Sequence, residues 1–196
     1  RYMELAGVAE RSGRPVVGVI GDSTFAHSGI TSLLGTVYNG GKGTLCILDN
    51  RTTAMTGTQG HPVNGVTLTE QAARVNPLGV PAGRQLDLVR LCEAIGVDEV
   101  EVVDAQDMMA IRRALKAATS HVDKLSVIIF KAPCRLIERS RKPMPTITDC
   151  HRCGVCIQIG CPALGRDETG YAVIDPNQCI GCGQCAQACP FGCISK

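Results

Sequence analysis

The chain has 196 residues, 44% of them hydrophobic, which is enough for one large domain or for a medium domain followed by a small one. Its 20 basic and 18 acidic residues give a net charge of only +2, which argues against a protein that binds nucleic acid by neutralising phosphates. The sequence shows no apolar run of membrane-spanning length and no signal-peptide pattern, so we expect a cytoplasmic protein without membrane or nucleic-acid partners.

From Pro15 onward, the first part of the chain alternates apolar strand patterns with helical patterns. The patterns predict strands at 15–20, 44–48, 99–103 and 125–131 and helices at 28–40, 86–95 and 105–118. Buried strands separated by helices are typical of an α/β fold, in which helices cover both faces of a parallel sheet through right-handed crossovers. The opening segment RYMELAGVAERSG reads as the last turns of a helix with no start signal, so we expect a piece of a longer polypeptide with an incomplete first domain.

The first two predicted strands run directly into polar motifs. Gly21-Asp22-Ser23 ends the first and Asp49-Asn50 ends the second, at the sheet edge where open α/β sheets bind their ligands. Asp22 offers a carboxylate oxygen and Asn50 an amide oxygen, which Mg²⁺ accepts when phosphate oxygens complete its shell. Gly21 permits close backbone approach, and the N-terminus of the next helix can face an anion. The motifs indicate a metal-held diphosphate, and the absence of GxxxxGKS and GxGxxG disfavours P-loop or dinucleotide binding.

The composition changes sharply near residue 140. Cys46, Cys92 and Cys134 are scattered through the first 149 residues, whereas nine cysteines lie between 150 and 193. The basic, proline-containing stretch RSRKPMPT at 139–146 is typical of a linker. We therefore expect one domain at 1–140 and a second, cysteine-rich domain at 141–196.

Two cysteine runs form an internal repeat in the second domain: CHRCGVCIQIGCP at 150–162 and CIGCGQCAQACP at 179–190. Three thiolates spaced by two residues can bind three irons of one cluster, and the fourth cysteine of each run, followed by proline, ligates the other cluster, as in two-cluster ferredoxins. The spacing therefore predicts two 4Fe–4S clusters. The first is assigned to Cys150, Cys153, Cys156 and Cys189, and the second to Cys179, Cys182, Cys185 and Cys161.

Zinc and disulfides fit this spacing less well. Zinc sites pair cysteines as C-x2-C and need only four ligands, and disulfides require an oxidising compartment. The first run carries one extra residue before its fourth cysteine, and we interpret Gly160 as that insertion. Cys193 is interpreted as a small apolar residue beside a cluster, and a hydrogen bond from His151 that tunes a cluster is a hypothesis. If both clusters are present, we expect the cysteine-rich domain to conduct electrons for the first domain.

A family resemblance supports the metal–diphosphate interpretation. GDS at 21–23 followed by DN at 49–50 is similar to the thiamine-diphosphate motif that begins with GDG and ends with NN. The stretch GDSTFAHSGITSLLGTVYNGGKGTLCILDNRTTAMTG resembles the diphosphate-binding domain of 2-oxoacid:ferredoxin oxidoreductases, most closely the C-terminal part of the large (alpha) subunit of the indolepyruvate enzymes. That subunit also ends in a two-cluster ferredoxin domain, so the resemblance covers nearly the whole chain.

The resemblance implies roles for residues around the two motifs. Asp22 and Asn50 become side-chain ligands of Mg²⁺, with the backbone carbonyl of Thr52 as a third ligand. Gly21 and Ser23 contact the cofactor, although the family motif has glycine where this chain has Ser23. The remaining cofactor-facing positions are Thr53, Met55 and Thr56, which border the reactive carbon and the substrate.

The comparison with the family leaves the roles of three further positions open. His27 is either a capping residue or a catalytic residue that contacts thiamine or transfers a proton. The family sequence GHQPHP reads GTQGHP here, which leaves the roles of Thr58 and Gly60 open while His61 keeps its place.

The resemblance implies a CoA-linked oxidative decarboxylation of a 2-oxoacid, with electrons passed singly through both clusters to ferredoxin. An arylpyruvate such as indolepyruvate is the expected substrate, and pyruvate or 2-oxoglutarate are alternatives. The expected partners are the remaining domains of the large subunit and a small subunit of beta or gamma type. A partner domain is expected to supply the glutamate that activates thiamine, because this chain does not contain that domain. We therefore expect no activity from the chain alone. A different function also stays open, that of an electron-transfer module whose sheet domain only docks a partner.

Overall fold

A computed structural model of the chain describes residues 13–67, 83–138 and 142–195. The helical turns expected at 1–12, and residues 139–141 of the expected linker, lie outside this part. The chain divides into two compact units. The first comprises the residues up to Ala105 together with Ala110–Glu138, and the second comprises Gln106–Met109 together with the residues after Glu138.

The first unit is built on a four-stranded sheet with helices in the connections. Its elements are β1 (Val17–Gly21), α1 (Ile30–Tyr38), β2 (Gly43–Asp49), α2 (Leu88–Ile95), β3 (Glu99–Asp104), α3 (Met108–Ser120) and β4 (Leu125–Lys131), although the first two residues of α3 belong to the second unit. The strand order is β1-β2-β4-β3, and every pair of neighbours is parallel. The α/β prediction and its parallel sheet are therefore confirmed.

The connection between β1 and α1 differs from the prediction because no loop separates strand from helix. An α-helical turn, Asp22–Thr24, follows β1 directly and continues through a π-helical turn, Phe25–Gly29, into α1. Gly21 has extended backbone angles, φ −76° and ψ 153°, and acts as the N-cap. The helical segment thus begins six residues before the predicted start at 28, and Asp22 lies at both a strand end and a helix start.

Apolar side chains cover the two faces of the sheet in separate cores, because successive strand residues point to opposite faces. On β4, Val127 and Ile129 belong to one core, and Ile128 and Phe130 belong to the other. The helices divide accordingly. The first core takes Leu33 of α1 with Leu88 and Cys92 of α2, and the second takes Ala114 and Ala118 of α3.

Local sequence fixes the two ends of α2. The Asp87 carboxylate accepts hydrogen bonds from the backbone N–H groups of Val89 and Arg90, which satisfies two donors at the helix start. Gly96 ends the helix with φ 99°, a left-handed conformation that glycine adopts without a side-chain clash. None of the helices in the described ranges combines the length and the apolar character that crossing a membrane requires.

The second unit contains two short antiparallel sheets around the cysteine runs. Its elements are β5 (Thr146–Ile147), a 3₁₀ helix (Val155–Ile159), β6 (Leu164–Arg166), β7 (Ala172–Ile174), α4 (Gln184–Ala188) and β8 (Ile194–Ser195). β5 pairs with β8, and β6 pairs with β7. Its small core contains two of the cysteines, Cys156 and Cys185, packed with Leu164 and Ile194.

Candidate functional site

The parallel register places two carboxyl groups together at one edge of the sheet. Gly21 pairs with Leu48, so the next residues, Asp22 and Asp49, follow on neighbouring strands. Both are 2% exposed. The backbone N–H of Arg51 donates to Asp22 Oδ2 at 3.1 Å and to Asp49 Oδ1 at 3.2 Å, and thereby ties the end of β2 to the end of β1.

The electrostatics of this carboxyl pair favour a bound cation. The pKa of Asp22 is raised to about 6; burial is the main cause and the neighbouring Asp49 contributes, while the backbone N–H of Ser23 at 2.8 Å opposes the rise. The compensating cation in reach is Lys131, whose Nζ lies 4.0 Å from Asp49 Oδ2. A divalent ion at Asp22 would stabilise the ionised carboxylate, so these residues fit a Mg²⁺-bound diphosphate.

The turn after β2 presents Asn50 beside this pair. Asn50 Oδ1 accepts from the Thr52 backbone N–H at 3.1 Å, and the Asn50 carbonyl accepts from the Cys134 N–H at 2.9 Å. Arg51 between them has φ 65°, a conformation that is unfavourable for a residue with a side chain. Asn64 Nδ2 donates to the Arg51 carbonyl at 3.0 Å, which helps to hold the turn. The Arg51 N–H thus links Asp22 to the turn that carries Asn50 and the buried Thr52.

The loop that follows is closed by its own hydrogen bonds and reaches back to the first motif. Thr53 Oγ1 donates to Ser23 Oγ at 2.9 Å, which joins the loop to the end of β1. Thr53 also bridges to Gln59, whose side chain accepts from Thr56 Oγ1 at 2.6 Å. Met55, at the tip, is fully exposed. The loop thus presents an apolar side chain and several hydroxyl groups to whatever binds at this edge.

His27 lies in the π-helical turn after Asp22, and its hydrogen bond defines its tautomer. Nδ1 is 2.7 Å from the carbonyl oxygen of Ser23. A carbonyl can only accept, so Nδ1 carries the proton and the neutral ring keeps a lone pair on Nε2. The ring is exposed. π-Helical turns often occur at functional sites, and this one presents a proton acceptor beside the carboxyl pair.

His61 is a second histidine near Asp22, and it is buried. Its Nε2 lies 3.5 Å from Asp22 Oδ2, and among the residues that the structure describes neither ring nitrogen has a hydrogen-bond partner. Burial lowers the pKa of His61. The backbone around it is fixed, because Asn64 Oδ1 accepts from the His61 N–H at 3.0 Å. An unpartnered buried imidazole is unusual, and it points at the oxygen that would ligate the metal.

Sequence reasoning left Asp49, His61 and Asn64 without roles at this site. An acidic residue at the end of a buried strand, such as Asp49, is a sequence signal that could have indicated a role at this site. His61 and Asn64 follow a loop of variable length, so their proximity to Asp22 depends on how that loop folds. Nothing in their spacing could have shown it.

In the second unit, one cavity gathers the cysteines predicted for the first cluster. Cys150, Cys153 and Cys156 of the first run line it together with Cys189, which comes from the second run. Cys193 lines the same cavity. Burial raises the pKa of Cys156, and the neighbouring sulfurs of Cys189, Cys150 and Cys153 raise it further.

The cysteines predicted for the second cluster lie around Cys185. Burial raises the pKa of the Cys185 thiol, and the sulfurs of Cys182 and Cys179 raise it further. Cys161, the fourth predicted ligand, packs against the small core that contains Cys185. All twelve cysteines lie in the described part of the chain, and none of them forms a disulfide there. Within that part no three His, Cys, Asp or Glu side chains are grouped as ligands of one metal ion.

The two cysteine loops repeat each other in backbone detail. Gly154 and Gly183 occupy equivalent positions, with φ 76° and 79°. In both loops the N–H two residues after the first cysteine points at its sulfur: Arg152 N lies 3.4 Å from Cys150 Sγ, and Gly181 N lies 3.4 Å from Cys179 Sγ. Such N–H···S bonds stabilise thiolates, so both loops are preorganised for cluster ligands.

The extra residue of the first cysteine run, Gly160, lies at the C-terminal end of the 3₁₀ helix. Gly160 caps the 3₁₀ helix with φ 70°, whereas the second run forms the α-helix α4, which ends at Ala188. A side chain at Gly160 would meet nothing within 4 Å. The insertion therefore changes the helix type and leaves the preceding triplet unaltered.

His151 lies between two predicted ligands, and its ring stacks on Phe191. The ring centroids are 4.4 Å apart, with an angle of 25° between the planes. The next residue, Arg152, lies over the Tyr171 ring at 5.0 Å. Phe191 and His151 both line the cavity of the first cysteine set, so the stacked rings form part of its wall.

Comparison with protein families assigns both parts of the chain. Residues 4–130 match the family described as thiamine pyrophosphate enzyme, C-terminal TPP binding domain. Residues 172–195, which hold the second cysteine run, match the 4Fe-4S binding domain.

Curated relatives match nearly the whole chain. Indolepyruvate oxidoreductase subunit IorA of Methanothermobacter marburgensis is 37% identical over 195 residues, which are 96% of this chain and 29% of that protein. The subunit of the same name from Thermococcus kodakarensis is 37% identical over 187 residues, 90% of this chain and 27% of that protein. The subunit of the same name from Archaeoglobus fulgidus is 37% identical over 192 residues, which are 94% of this chain and 29% of that protein. The chain therefore spans less than a third of the length of these relatives.

Proposed function

The chain belongs to the thiamine pyrophosphate enzymes, as their C-terminal TPP-binding domain followed by a 4Fe–4S binding domain, and we propose that it is the catalytic and electron-transferring part of a 2-oxoacid:ferredoxin oxidoreductase. The proposed reaction is the CoA-linked oxidative decarboxylation of an arylpyruvate such as indolepyruvate. The names of the IorA relatives support this substrate class. Domain boundaries at 1–140 and 141–196 are part of the proposal.

The observation that carries the proposal is the junction of β1 and β2 at Arg51. One backbone N–H holds the Asp22 carboxylate next to the turn that carries Asn50, so two unlike oxygen ligands meet at adjacent parallel strand ends. Asp22, Asn50 and the Thr52 carbonyl would hold Mg²⁺, and Gly21 and Ser23 would border the diphosphate. Bound thiamine diphosphate supplies an electron sink for the decarboxylation of a 2-oxoacid.

The surrounding residues of this chain can position the reactants. His27, protonated at Nδ1, keeps Nε2 as a proton acceptor beside the cofactor site. Thr53 ties the loop to Ser23, so that Thr56 and the exposed Met55 form one wall of the substrate site. An apolar, polarisable side chain such as that of Met55 suits contact with an aromatic substrate.

The second unit would remove the electrons. Cys150, Cys153, Cys156 and Cys189 are proposed to hold one 4Fe–4S cluster around their common cavity. The second cluster is proposed to be bound by Cys179, Cys182, Cys185 and Cys161. Two one-electron centres match the two electrons that each 2-oxoacid releases, and ferredoxin is the proposed acceptor.

The partners and the compartment follow from the same proposal. The chain covers less than a third of the relatives' length, so the rest of the large subunit and a small subunit would complete the active site. We propose the cytoplasm as the compartment, because a reducing environment keeps thiols available as cluster ligands.

Cofactor binding tests the proposal most simply. Calorimetry on the assembled protein with Mg²⁺ and thiamine diphosphate should show saturable binding that is lost in Asp22→Ala and in Asn50→Ala. Asp123→Ala is a matched control, because Asp123 is an exposed carboxylate just before the start of β4, at the opposite end of the strands. If both site variants bind like the wild type, the sheet domain is not a thiamine site and the electron-transfer module becomes the better account.

Substrate choice needs a separate experiment. Several 2-oxoacids, including indolepyruvate, pyruvate and 2-oxoglutarate, would be added anaerobically with CoA to the complete complex, and cluster reduction would be followed by visible absorbance. We expect the fastest reduction with the arylpyruvate. Faster reduction with pyruvate or 2-oxoglutarate would refute that assignment and leave the reaction class intact.

A further inference from the structure

The cavity of the first cysteine set contains one sulfur more than a 4Fe–4S cluster requires. Cys150, Cys153, Cys156 and Cys189 account for four ligands, and Cys193 also lines the cavity. Cys193 is 7% exposed, so its thiol faces this interior. Its position beside the proposed cluster therefore calls for a chemical explanation beyond packing.

Cys193 lines the same cavity as Cys189 and Cys150. Burial raises the pKa of Cys193, and the neighbouring side chains of Cys189 and Cys150 raise it further, in agreement with this placement. Cys193 Sγ donates to the Asp149 carbonyl at 3.2 Å. Asp149 immediately precedes Cys150, so Cys193 is held at the start of the first cysteine run and lines the cavity that Cys189 also lines.

The backbone keeps Cys193 in this place. Its carbonyl accepts from the Thr148 N–H at 2.9 Å, and the next residue, Ile194, pairs with Ile147 in the β5–β8 sheet. The Gly192 N–H donates to the Cys189 carbonyl at 3.3 Å, in a tight turn where Gly192 has φ 67°. The turn brings two cysteines four positions apart to the same side of one cavity.

We propose that Cys193 is an alternate ligand for the iron that Cys189 binds. In the exchange, the Fe–S bond to Cys189 breaks and an Fe–S bond to Cys193 forms. The Cys193 thiol loses its proton and the departing Cys189 sulfur gains one, so no electrons are consumed. The proposal rests on the assignment of the first cluster. Its consequence is that this cluster keeps four irons when Cys189 is removed or chemically blocked.

The internal repeat supplies a control for the second cluster. Cys161 corresponds to Cys189, and the residue four positions after Cys161 is Gly165, which has no thiol. The second cluster therefore has no spare sulfur at the matching place. Loss of Cys161 should therefore cost the second cluster one iron, whereas loss of Cys189 should leave the first cluster with all four.

The test compares three variants of the assembled protein, purified anaerobically: Cys189→Ala, Cys161→Ala and the double variant Cys189→Ala with Cys193→Ala. Iron and sulfide contents are measured, and electron paramagnetic resonance of the oxidised protein detects three-iron centres. Cys189→Ala should keep the wild-type iron content and show no three-iron signal. Cys161→Ala and the double variant should each lose one iron and show that signal.

A three-iron signal in Cys189→Ala equal to that of the double variant would overturn the proposal. Cys189→Val, which matches cysteine more closely in shape and cannot ligate iron, is prepared in parallel with and without Cys193→Ala, in case the alanine variant does not fold. A wild-type protein without two clusters would refute the cluster assignment itself. The inference about Cys193 fails separately when the wild type is complete and Cys189→Val loses iron as Cys161→Ala does.

Discussion

At the scale of single residues, Asp22 and Asp49 combine burial with like charge. Burial and, to a smaller extent, the charge of Asp49 together raise the pKa of Asp22 to about 6. A protonated carboxyl cannot ligate Mg²⁺, so proton and metal compete for Asp22. Cofactor affinity should therefore fall as the pH drops below about 6, by about tenfold per pH unit at most.

Asp49→Asn tests this competition, because it removes the like charge while keeping the side-chain shape. The pKa of Asp22 should fall, and the pH at which cofactor affinity is half lost should move to a lower value than in the wild type. Affinity for Mg²⁺ and thiamine diphosphate is measured from pH 5 to pH 8 in both proteins. The phosphates titrate identically in both experiments, so the difference reports on Asp22. Superimposable profiles would contradict the account.

His61 is the second residue with a sharp expectation. Both ring nitrogens are buried and unpartnered among the described residues, and Nε2 lies 3.5 Å from Asp22 Oδ2. Replacing unsatisfied polar atoms by apolar ones of similar shape is neutral or stabilising, whereas loss of a group that orients a metal ligand costs about 10- to 100-fold in metal affinity. His61→Phe should thus unfold at the same temperature or higher without cofactor, yet bind it about 10- to 100-fold more weakly.

Thermal unfolding and calorimetry on the same His61→Phe sample separate the two effects. His121→Phe, at an exposed position, is the control. A His61→Phe protein that is less stable but binds the cofactor normally would show that His61 only fills space.

The sequence predicted the residues whose position depends on strand ends alone. Asp22 and Asn50 could be placed together because parallel strands end at one edge, whatever the loops do. The roles of Asp49 and His61 depend on side-chain distances across the β2 turn and its loop, and one-dimensional spacing carries no information on these. The same limit hid the fact that Cys189 and Cys193 line one cavity, although both cysteines were recognised.

At the scale of elements, the two cysteine loops show how one backbone shape is made from different residues. Gly181 has φ 68°, and a Cβ there would lie 2.5 Å from the Lys142 carbonyl oxygen. Arg152 holds the equivalent place in the first loop with φ 55°. The first loop accepts a side chain at this position, and the second has no room for one.

Gly181→Ala should therefore destabilise the second unit by about 1–3 kcal/mol, through both backbone strain and a clash. Gly160→Ala is the matched control, since Gly160 also has a positive φ of 70° but has open space around it. It should cost only the strain, about 1 kcal/mol. Thermal unfolding of the holoprotein gives both values, and equal losses would show that the contact with Lys142 is unimportant.

Element types were predictable where periodic patterns are long, and element ends were not. The strands and helices of the first unit follow the predicted alternation because each buries one side of a regular pattern. The helical start at Asp22 was missed, because Gly21 passes from extended to helical backbone without a connecting loop. The change from α-helix to 3₁₀ helix in the first cysteine run depends on a single inserted glycine, Gly160.

At the scale of the whole molecule, two family matches in one chain suggest a division of labour. The first unit would generate electrons at its sheet edge, and the second would carry them away one at a time. The relatives are more than three times as long as this chain, so the glutamate that activates thiamine would come from outside it. The isolated chain should accordingly bind clusters and show no turnover.

The central claim is that chemistry at Asp22 and Asn50 delivers electrons to the cysteine-bound clusters, and single-turnover cluster reduction tests it most directly. The assembled wild type and Asp22→Ala would each be mixed anaerobically with the 2-oxoacid and CoA, without ferredoxin, while the visible absorbance of the clusters is recorded. The account predicts bleaching in the wild type and none in Asp22→Ala, whose clusters would still bleach fully with a chemical reductant. Equal bleaching of both proteins by the 2-oxoacid would contradict it.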